Sequence, residues 1–389
     1  MIVSPAARLQ EVSEYYFAKK LRELRERMNK GEDIINLGIG NPDMAPSDDT
    51  VKALINSAVE PHHHGYQPYK GIPALRNGFA NWYLNTYGVT LDPEQEILPL
   101  IGSKEGIMHI SMAFLNPGDQ VLVPNPGYPT YTSVTRLVEA EPVFYALTEE
   151  NGWKPDLEAL AAQDLSKVKL MWINYPHMPT GTNASLADLE ELVAFAQKHQ
   201  ILLCHDNPYS LVLNKEPRSI FSVPGAWEVA IELNSLSKSH NMAGWRIGMV
   251  AGAQPYVDTV MRVKSNMDSG MFLPMQEAAA AALNNSYEWH RARNEEYAER
   301  KVIACQLLDT LGCSYATDQA GMFVWASTPD GTDGFAFTDA VLDETLVFLT
   351  PGGIFGSEGN NYVRISLCTP KHRLQEALER IRERQLTSV

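Results

Sequence analysis

Short apolar segments alternate with helical patterns along this chain from about residue 95 to residue 252. The apolar segments are continuous runs, which is typical of strands that are buried on both faces. Alternation of such strands with helices favours parallel pairing, with helices packed on both faces of the sheet. We therefore predict an α/β fold whose large domain holds a mostly parallel, seven-stranded sheet between helices. The predicted strands are Ile97–Ile101, Gln120–Val123, Pro142–Leu147, Lys169–Asn174, Ile201–His205, Val229–Asn234 and Ile247–Gly252.

A different pattern begins after about residue 285. A long, charged helical stretch, Glu288–Leu311, is followed by short strand patterns and by a final helical pattern, Lys371–Arg384. This order of elements indicates a second, smaller α+β domain. We predict boundaries of 47–285 for the large domain, and of 1–46 together with 286–389 for the small domain.

The charge balance argues against some classes of partner. The 389 residues include 32 Lys and Arg against 47 Asp and Glu, which gives a formal net charge of −15. Such an acidic chain is a poor candidate for binding nucleic acid or an anionic membrane, although a local basic pocket for a small anion is compatible with it. The sequence shows no apolar stretch of about 18 residues, no signal-peptide pattern and no paired-cysteine motif. We expect a cytoplasmic protein with small-molecule substrates.

The segment from Ser235 to Gly248 carries the strongest chemical signal. It follows an apolar strand and places Lys238 among serine hydroxyls. A partly desolvated lysine has a lowered pKa and can act as a nucleophilic amine that forms a Schiff base. Ser235, Ser237 and Arg246 could together hold a phosphate, with the guanidinium supplying two parallel donors. Taken alone, the spacing fits a solvated surface loop with a helix-capping serine equally well.

The same segment resembles the lysine signature of the class I/II aminotransferases, which are fold-type-I enzymes that use pyridoxal 5′-phosphate (PLP). The resemblance rests on an S-x-S-K pattern that begins at Ser235 and on a G-x-R-x-G pattern around Arg246, eight residues after the lysine. It extends from about residue 37 to residue 364. It implies a PLP-dependent transferase fold of type I, in which Lys238 carries the cofactor as an internal aldimine. It also implies that Ser235, Ser237 and Arg246 bind the phosphate.

Two residues after the fifth predicted strand match the family's D-x-x-Y motif. Asp206 and Tyr209 follow Ile201–His205, and ligands bind beyond the carboxyl ends of strands in sheets of this kind. By resemblance, Asp206 pairs with the pyridine nitrogen and keeps it protonated, so that the ring can accept electrons. Tyr209 is expected to donate a hydrogen bond to the phenolic oxygen of PLP. Considered alone, Asp206 would also fit the N-cap of a helix.

Three further segments resemble parts of the family that contact PLP. The strand-to-helix turn at Gly102, Ser103 and Lys104 resembles the turn whose backbone binds the phosphate, because helix N-termini attract anions. Tyr128 lies in a P-x-Y-P-x-Y pattern and is expected to stack on the ring, although a Pro/Gly turn around a core tyrosine gives the same pattern. Tyr66 resembles the tyrosine that reaches the phosphate of the neighbouring subunit. This match implies a homodimer with shared active sites.

Two segments resemble the family's substrate-binding parts. Arg364, in the strand pattern Tyr362–Ser366, is expected to place its guanidinium fork on the substrate α-carboxylate. Gly40 ends a segment that resembles the N-terminal loop closing over that carboxylate. Both residues belong to the predicted small domain, so substrate binding could draw the two domains together.

One position departs from the family pattern. Where the family usually reads N-P-T-G, this chain has Met178 followed by Pro179, Thr180 and Gly181. The usual asparagine donates to the phenolic oxygen of PLP, and a thioether cannot donate. We expect one donor fewer on that oxygen and hence a raised pKa of the lysine-linked cofactor. Asn174, which we retain as a candidate cofactor-binding residue, or His177 could supply the missing donor.

These matches imply an aminotransferase with ping-pong kinetics, in which Lys238 is the general base and acid at the substrate α-carbon. A PLP-dependent carbon–sulfur β-lyase would use the same residues. A PLP-binding regulatory module and a non-catalytic PLP-binding protein are further alternatives. The segment 264–276 resembles one in the aspartate and LL-diaminopimelate aminotransferase subgroups, which favours an acidic or diamino-dicarboxylic substrate. Glutamate and 2-oxoglutarate are the expected second pair.

No metal site is predicted. The triplet His62-His63-His64 is the candidate, but no carboxylate or cysteine stands at ligand spacing from it. It also adjoins the Tyr66 segment. A surface loop with ordinary histidines is the simpler interpretation.

Overall fold

The fold is seen in a computed structural model that describes residues 2–10, 12 and 16–387. The strands of these residues are β1 (Ile35–Asn36), β2 (Ile97–Leu100), β3 (Gln120–Asn125), β4 (Glu141–Ala146), β5 (Val168–Ile173), β6 (Leu202–Asp206), β7 (Ala230–Ser235), β8 (Gly248–Gly252), β9 (Phe323–Ser327), β10 (Val347–Phe348), β11 (Thr350–Pro351) and β12 (Tyr362–Ser366). The helices are α1 (Tyr16–Asn29), α2 (Asp48–Ala58), α3 (Pro73–Tyr87), α4 (Ser103–Phe114), α5 (Pro129–Leu137), α6 (Leu157–Ala161), α7 (Leu186–His199), α8 (Ala226–Val229), α9 (Leu236–Ser239), α10 (Gln254–Lys264), α11 (Leu273–Ala282), α12 (Tyr287–Thr310), α13 (Gly334–Thr345) and α14 (Lys371–Thr387). None of these helices is long and apolar enough to cross a membrane.

Strands β2 to β8 form one seven-stranded sheet in the order β2-β8-β7-β6-β5-β3-β4. Neighbouring strands are parallel from β7 to β4, whereas β8 runs antiparallel to both β2 and β7. Every residue of β2, β6, β7 and β8 is buried, as expected for continuous apolar runs covered on both faces. The predicted α/β class and the mostly parallel seven-stranded sheet are therefore confirmed.

The C-terminal part of the chain forms a smaller group of elements. Strands β11, β12 and β9 pair antiparallel, and helices α12 and α14 share an apolar core with them. The N-terminal segment joins this group because β1 pairs in parallel with β10. The division of the chain at residues 46 and 285 stays a prediction. Within the predicted small domain, residues 1, 11, 13–15, 388 and 389 lie outside the described residues.

Local sequence signals set several helix ends near the sheet. Helix α7 begins with a capping box, in which the Ser185 hydroxyl accepts from the N–H of Asp188 and the Asp188 carboxylate accepts from the N–H of Ser185. Helix α4 begins directly after Gly102, whose φ of 85° is a left-handed conformation that glycine adopts without strain. The N-terminus of α4 therefore lies at the edge of the sheet where β2 ends.

The same edge collects the ends of the central strands. Strands β5, β6 and β7 are neighbours and run parallel, so their carboxyl ends lie side by side. In open sheets of this type, ligands bind beyond the carboxyl ends of the strands. A functional site is therefore expected at the edge of the sheet where β5, β6 and β7 end.

Candidate active site

A cavity of about 460 Å³ lies at this edge of the sheet. Its walls come from the ends of β6 and β7, from the start of α4, and from α1, β9 and β12. Most of the residues that the sequence predicted for the site line this one cavity. They are Gly40, Ser103, Lys104, Tyr128, Asn174, Asp206, Tyr209, Ser235, Ser237, Lys238, Arg246 and Arg364.

Lys238 lies on the single turn of helix α9, which follows β7 directly. Its Nζ donates a hydrogen bond to the carbonyl oxygen of Gly40. Burial lowers the pKa of the amine, and the positive charges of Arg364 and Arg246 act in the same direction. A larger fraction of the amine is therefore neutral at neutral pH, as a nucleophilic lysine requires.

Asp206 ends strand β6 and is 4% exposed. Its Oδ2 accepts a hydrogen bond from the Tyr131 hydroxyl at 2.8 Å, whereas its Oδ1 is buried without a partner among the described residues. Burial raises the pKa of the carboxyl to about 6, against opposing effects of the Tyr131 hydrogen bond and of His205. A buried acceptor of this kind fits a cationic ligand group that faces Oδ1.

A buried polar network lies behind Asp206. The neighbouring residue His205 is 2.7 Å from Glu232 through Nδ1, and its other ring nitrogen is 3.0 Å from the carbonyl oxygen of Tyr175. The fully buried Glu232 also accepts hydrogen bonds from the hydroxyls of Tyr83 and Ser219. Because a buried carboxylate needs such partners, the network holds strands β6 and β7 in register beneath the cavity. The sequence patterns did not identify this network.

The predicted phosphate end of the cavity is formed by three side chains, one at the end of β7 and two after it. The Ser235 hydroxyl donates to that of Ser237 at 2.9 Å. Arg246 donates from Nη1 to the Ser237 hydroxyl at 3.4 Å and to the Ala243 carbonyl oxygen at 2.9 Å. Together with the N-terminus of α4, these groups concentrate donors and positive charge at one point, as an anion-binding site requires.

The turn that leads into α4 is fixed by two contacts. A Cβ atom on Gly102 would lie 2.1 Å from Nη2 of Arg246, so glycine lets the guanidinium approach the turn. Glu105 accepts a hydrogen bond from the N–H of Ile101 at 2.7 Å, and its other carboxylate oxygen is 3.2 Å from Nε2 of the buried His109. Burial lowers the pKa of Lys104, and the charge of Arg246 does so as well. Gly102 therefore does not line the cavity but leaves room for the Arg246 guanidinium beside the turn. Glu105 positions the turn, and the sequence patterns did not identify this residue.

Two tyrosines line the cavity together with Lys238 and Asp206. Tyr128 precedes helix α5 and meets Tyr131 edge to face, with ring centroids 5.6 Å apart. Tyr209 packs its ring edge to face against Phe323 at 5.9 Å. Burial raises the pKa of both phenols, so both stay protonated and able to donate.

Asn174 and Met178 form a connected pair on the cavity wall. Asn174 donates to the carbonyl oxygen of Asp206 at 2.6 Å and accepts from the N–H of Met178 at 2.8 Å. The sulfur of Met178 lies 3.2 Å from Nη1 of Arg364. His177 points to the Thr180 hydroxyl, 2.8 Å away, and does not line the cavity. The expected loss of one donor to the cofactor oxygen stays a prediction.

Arg364 lies on β12 at the far end of the cavity and is 4% exposed. Its Nη2 donates to the carbonyl oxygen of Gly38 at 2.9 Å. A Cβ atom on Gly40 would lie 2.3 Å from the ring of Phe323. Glycine at this position therefore lets the loop run close to that ring. The guanidinium and the loop therefore meet as the predicted carboxylate site requires.

Tyr66 is a predicted site residue that does not line the cavity. It is 92% exposed and lies in a shallow surface depression with His64, Gly270 and Phe272. It makes no contact with the cavity of its own chain. Its predicted role in a neighbouring subunit stays a prediction. The adjacent His62–His64 triplet forms a mostly exposed turn, which confirms the predicted surface loop.

An apolar wall around Arg364 was not predicted from the sequence. Its members come from segments far apart in the chain, so no single motif contains them. They are Phe17, Leu21, Ile39, Phe323 and Phe355.

Known proteins are similar to this chain in both sequence and fold. The model of the family described as aminotransferase class I and II matches residues 32–381. The LL-diaminopimelate aminotransferase of Moorella thermoacetica is 42% identical over 379 residues, which cover 97% of each chain. The enzyme of that name from Dehalococcoides mccartyi is 39% identical over 376 residues, which cover 96% of this chain and 97% of the relative.

Solved structures give the same result. Substrate-bound BacF from Bacillus subtilis is 36% identical, with a TM-score of 0.93 over 98% of both chains. Aspartate aminotransferase from Thermotoga maritima is 27% identical, with a TM-score of 0.90 over 98% of this chain and 100% of that one. These similarities confirm the predicted type I fold, the transaminase activity and the cofactor. The chain therefore belongs to the class I and II aminotransferase family and is an aminotransferase that uses pyridoxal phosphate.

Proposed function

We propose that Lys238 carries pyridoxal phosphate and moves the α-proton of the amino donor, while Arg364 holds the donor's α-carboxylate. The observation that carries this proposal is the convergence of Lys238, Asp206 and Arg364 on one cavity. A lysine amine, a buried carboxylate and a guanidinium are the three groups that the reaction needs at separate points. The cavity volume of about 460 Å³ suits a cofactor and a small amino acid together.

The side chains present fit each part of the cofactor. The unpartnered Oδ1 of Asp206 suits a protonated ring nitrogen, which would satisfy that buried atom. Ser235, Ser237 and Arg246 suit the phosphate, since an arginine fork and hydroxyl donors bind phosphate oxygens. When bound, PLP supplies a ring that accepts the electrons left at the α-carbon after its proton is removed.

Lys238 acts at two stages of the reaction. Its lowered pKa makes the amine available first to hold the cofactor. After the donor has displaced it, the free Nζ of Lys238 would take the donor's α-proton and then, as the conjugate acid, give that proton back. The cofactor would keep the amino group while the donor skeleton leaves as a 2-oxo acid with an oxygen from water, and Lys238 would act in the reverse order on a second 2-oxo acid. Because the first product leaves before the second substrate binds, the kinetics are ping-pong.

The proposal includes a homodimer that acts in the cytoplasm. Tyr66 supports the dimer, because this large side chain is exposed and lies beside the exposed Phe272. Each Tyr66 would then reach the phosphate site of the other subunit. The cytoplasm is supported by the four cysteines, none of which forms a disulfide.

An absorbance experiment on the reconstituted enzyme tests the proposal. The visible band of the lysine-linked cofactor should fade when an effective amino donor is added and return when a 2-oxo acid such as 2-oxoglutarate follows. Lys238→Ala should lose the lysine-linked band and slow the half-reaction by at least about 10³-fold. Lys301→Ala is a matched control, because burial lowers the pKa of Lys301 too, although this lysine lies outside the cavity.

Two results would contradict the proposal. One is a Lys238→Ala enzyme that keeps the band and the half-reaction rate of the wild type. The other is release of pyruvate and ammonia without any oxo-acid acceptor, which would indicate the carbon–sulfur β-lyase instead. LL-diaminopimelate belongs in the donor panel because of the names of the relatives.

A further inference from the structure

The end of the cavity that holds Arg364 is walled by aromatic rings. The guanidinium carbon of Arg364 lies 3.8 Å from the ring centroid of Phe323 and 4.6 Å from that of Phe355. Both rings are buried, with 5% exposure each. A donor whose α-carboxylate binds Arg364 would therefore have apolar surface immediately around its α-carbon.

Helix α1 completes this wall. Phe17 and Leu21 are four residues apart, so they lie on the same face of the helix, and both line the cavity. The ring centroid of Phe17 is 5.8 Å from the guanidinium carbon of Arg364. Ile39 adds a further apolar side chain from the loop next to Gly40. Among the residues that the structure describes, the side chains of this wall carry no charge and no hydrogen-bonding group.

The charged side chains of the cavity other than Arg364 lie at its opposite end. Lys104 and Arg246 flank the turn before α4, and Lys238 and Asp206 lie at the proposed cofactor site. Within the described residues that line the cavity, Asp206 is the sole carboxylate. A donor with a charged far end would therefore bury that charge against Phe17 and Leu21 without a partner, which is unfavourable.

We propose that the side-chain pocket formed by Phe17, Leu21, Ile39, Phe323 and Phe355 selects an amino donor with a neutral, apolar side chain, either aromatic or branched aliphatic. This inference rests on the proposed function, because it takes Arg364 as the carboxylate anchor. It departs from the acidic or diamino-dicarboxylic substrate that the 264–276 segment favours. LL-diaminopimelate has a second ammonium and a second carboxylate at its far end, and aspartate has a second carboxylate.

A donor panel tests the inference on the full-length enzyme loaded with PLP. We expect kcat/KM, the second-order rate constant of the half-reaction, to be at least about 100-fold higher for phenylalanine or leucine than for aspartate and LL-diaminopimelate. Equal or faster reaction with aspartate or LL-diaminopimelate would overturn the inference and leave the proposed function intact. Failure of every donor to change the cofactor spectrum would instead overturn the proposed function, and the inference with it.

Variants of α1 locate the effect. Phe17→Ala should lower kcat/KM for phenylalanine by about tenfold, because it removes apolar contact area from the pocket. The same variant should lower kcat/KM for alanine by much less, since a methyl side chain buries less apolar area in the pocket. Met28→Ala is the matched control, because Met28 lies on the same helix and is 51% exposed. An equal loss for both donors would mean that Phe17 acts on the fold and not on the side-chain pocket, which contradicts the inference.

A binding measurement provides a readout that does not depend on turnover. Carboxylates without an amino group cannot react, so calorimetric titration with 3-phenylpropanoate and with succinate compares the two side-chain types directly. We expect 3-phenylpropanoate to bind at least about tenfold more tightly than succinate, and Phe17→Ala to remove most of that difference. Tighter binding of succinate to the wild type would overturn the inference.

Discussion

The two ends of the cavity are built in different ways. At the proposed cofactor end, Asp206 and Ser235 end strands β6 and β7 of the large sheet, and Lys238 follows β7 on α9. The groups around them are polar and hydrogen-bonded. At the substrate end, Arg364 stands among rings that come from β9, from a loop before β12 and from α1. The first end is fixed by a rigid sheet, whereas the second is assembled from segments distant in the chain.

This difference has a consequence for specificity. The cofactor end must present the same charges to the same ligand, so it depends on a few side chains of defined type. The substrate end depends on the shape and polarity of a wall, to which any apolar residue of suitable size can contribute. Variants at the two ends should therefore separate cofactor binding and chemistry from donor choice.

The largest effect is expected at Asp206. Asp206→Asn removes the charge that would keep the ring nitrogen protonated under the proposed function, and we expect a fall of at least about 100-fold in the half-reaction rate with every donor. Stopped-flow absorbance with phenylalanine and aspartate measures this. If the half-reaction rate fell for one donor and not for the other, Asp206 would determine donor specificity. The two ends of the cavity would then not have separate functions.

Asp206→Asn lowers the reaction rate, but in the absence of PLP it should make the protein more stable than the wild type at neutral pH. Burial raises the pKa of Asp206 from 3.8 to about 6, so the folded protein favours the protonated form. As the pH rises from about 4 to about 6, the cofactor-free wild type should lose about 3 kcal/mol of unfolding free energy relative to Asp206→Asn. Denaturant titrations at pH 4 and pH 7 measure the difference. A difference that does not depend on pH would show that Asp206 ionises normally in the folded protein.

A somewhat smaller effect is expected at the phosphate turn. Gly102→Ala would push its Cβ into Arg246 and strain the backbone at a φ of 85°, and we expect PLP affinity to fall by about 30-fold, or about 2 kcal/mol. Gly88→Ala is the matched control, because Gly88 has a φ of 68° and no neighbouring atom within 4 Å of the added Cβ. It should cost about 1 kcal/mol of stability and leave PLP affinity unchanged. Equal affinities of both variants for PLP would count against a role of the turn in cofactor binding.

These cofactor-end residues could be predicted from the sequence for a physical reason. Asp206 ends a buried strand and Lys238 follows another within a few residues, so a local motif specifies both the element and the side chain. The parallel strand order then brings them together, as strand–helix alternation predicts. Tyr131, which holds Asp206, escaped prediction because its partner lies 75 residues away in the sequence.

The substrate end could be predicted only at Arg364 and Gly40, for which the family supplies motifs. Phe17, Phe323 and Phe355 belong to separate elements, and nothing in their local sequence distinguishes them from core residues. Their role depends on long-range packing of α1 and β9 beside β12. Met178 was identified as a departure from the family pattern, but its contact with Arg364 required the fold.

A smaller effect is expected at the substrate end itself. Arg364→Lys replaces the guanidinium fork with a single ammonium, and we expect KM for every donor to rise by about tenfold, with PLP affinity unchanged. Steady-state kinetics and a PLP titration measure the two quantities. Loss of PLP affinity equal to that of Gly102→Ala would show that the two ends are not separable.

The smallest effect is expected where the two ends meet. Met178→Asn would place an amide donor near the cofactor oxygen, and we expect the pKa of the lysine-linked cofactor to fall by less than about one unit. The sign follows because a donor stabilises the deprotonated form. A spectrophotometric pH titration measures the change. An unchanged or raised pKa would show that position 178 acts on Arg364, whose Nη1 is 3.2 Å from the sulfur, and not on the cofactor.

The central claim, that Lys238 carries the cofactor, is tested most directly by reducing the reconstituted enzyme with borohydride and mapping its peptides by mass spectrometry. Reduction converts the lysine–cofactor linkage into a stable secondary amine. We expect the added mass of the reduced cofactor on Lys238, in the peptide that follows strand β7. Label on Lys104, on another lysine, or on none would contradict the assignment and the reaction built on it.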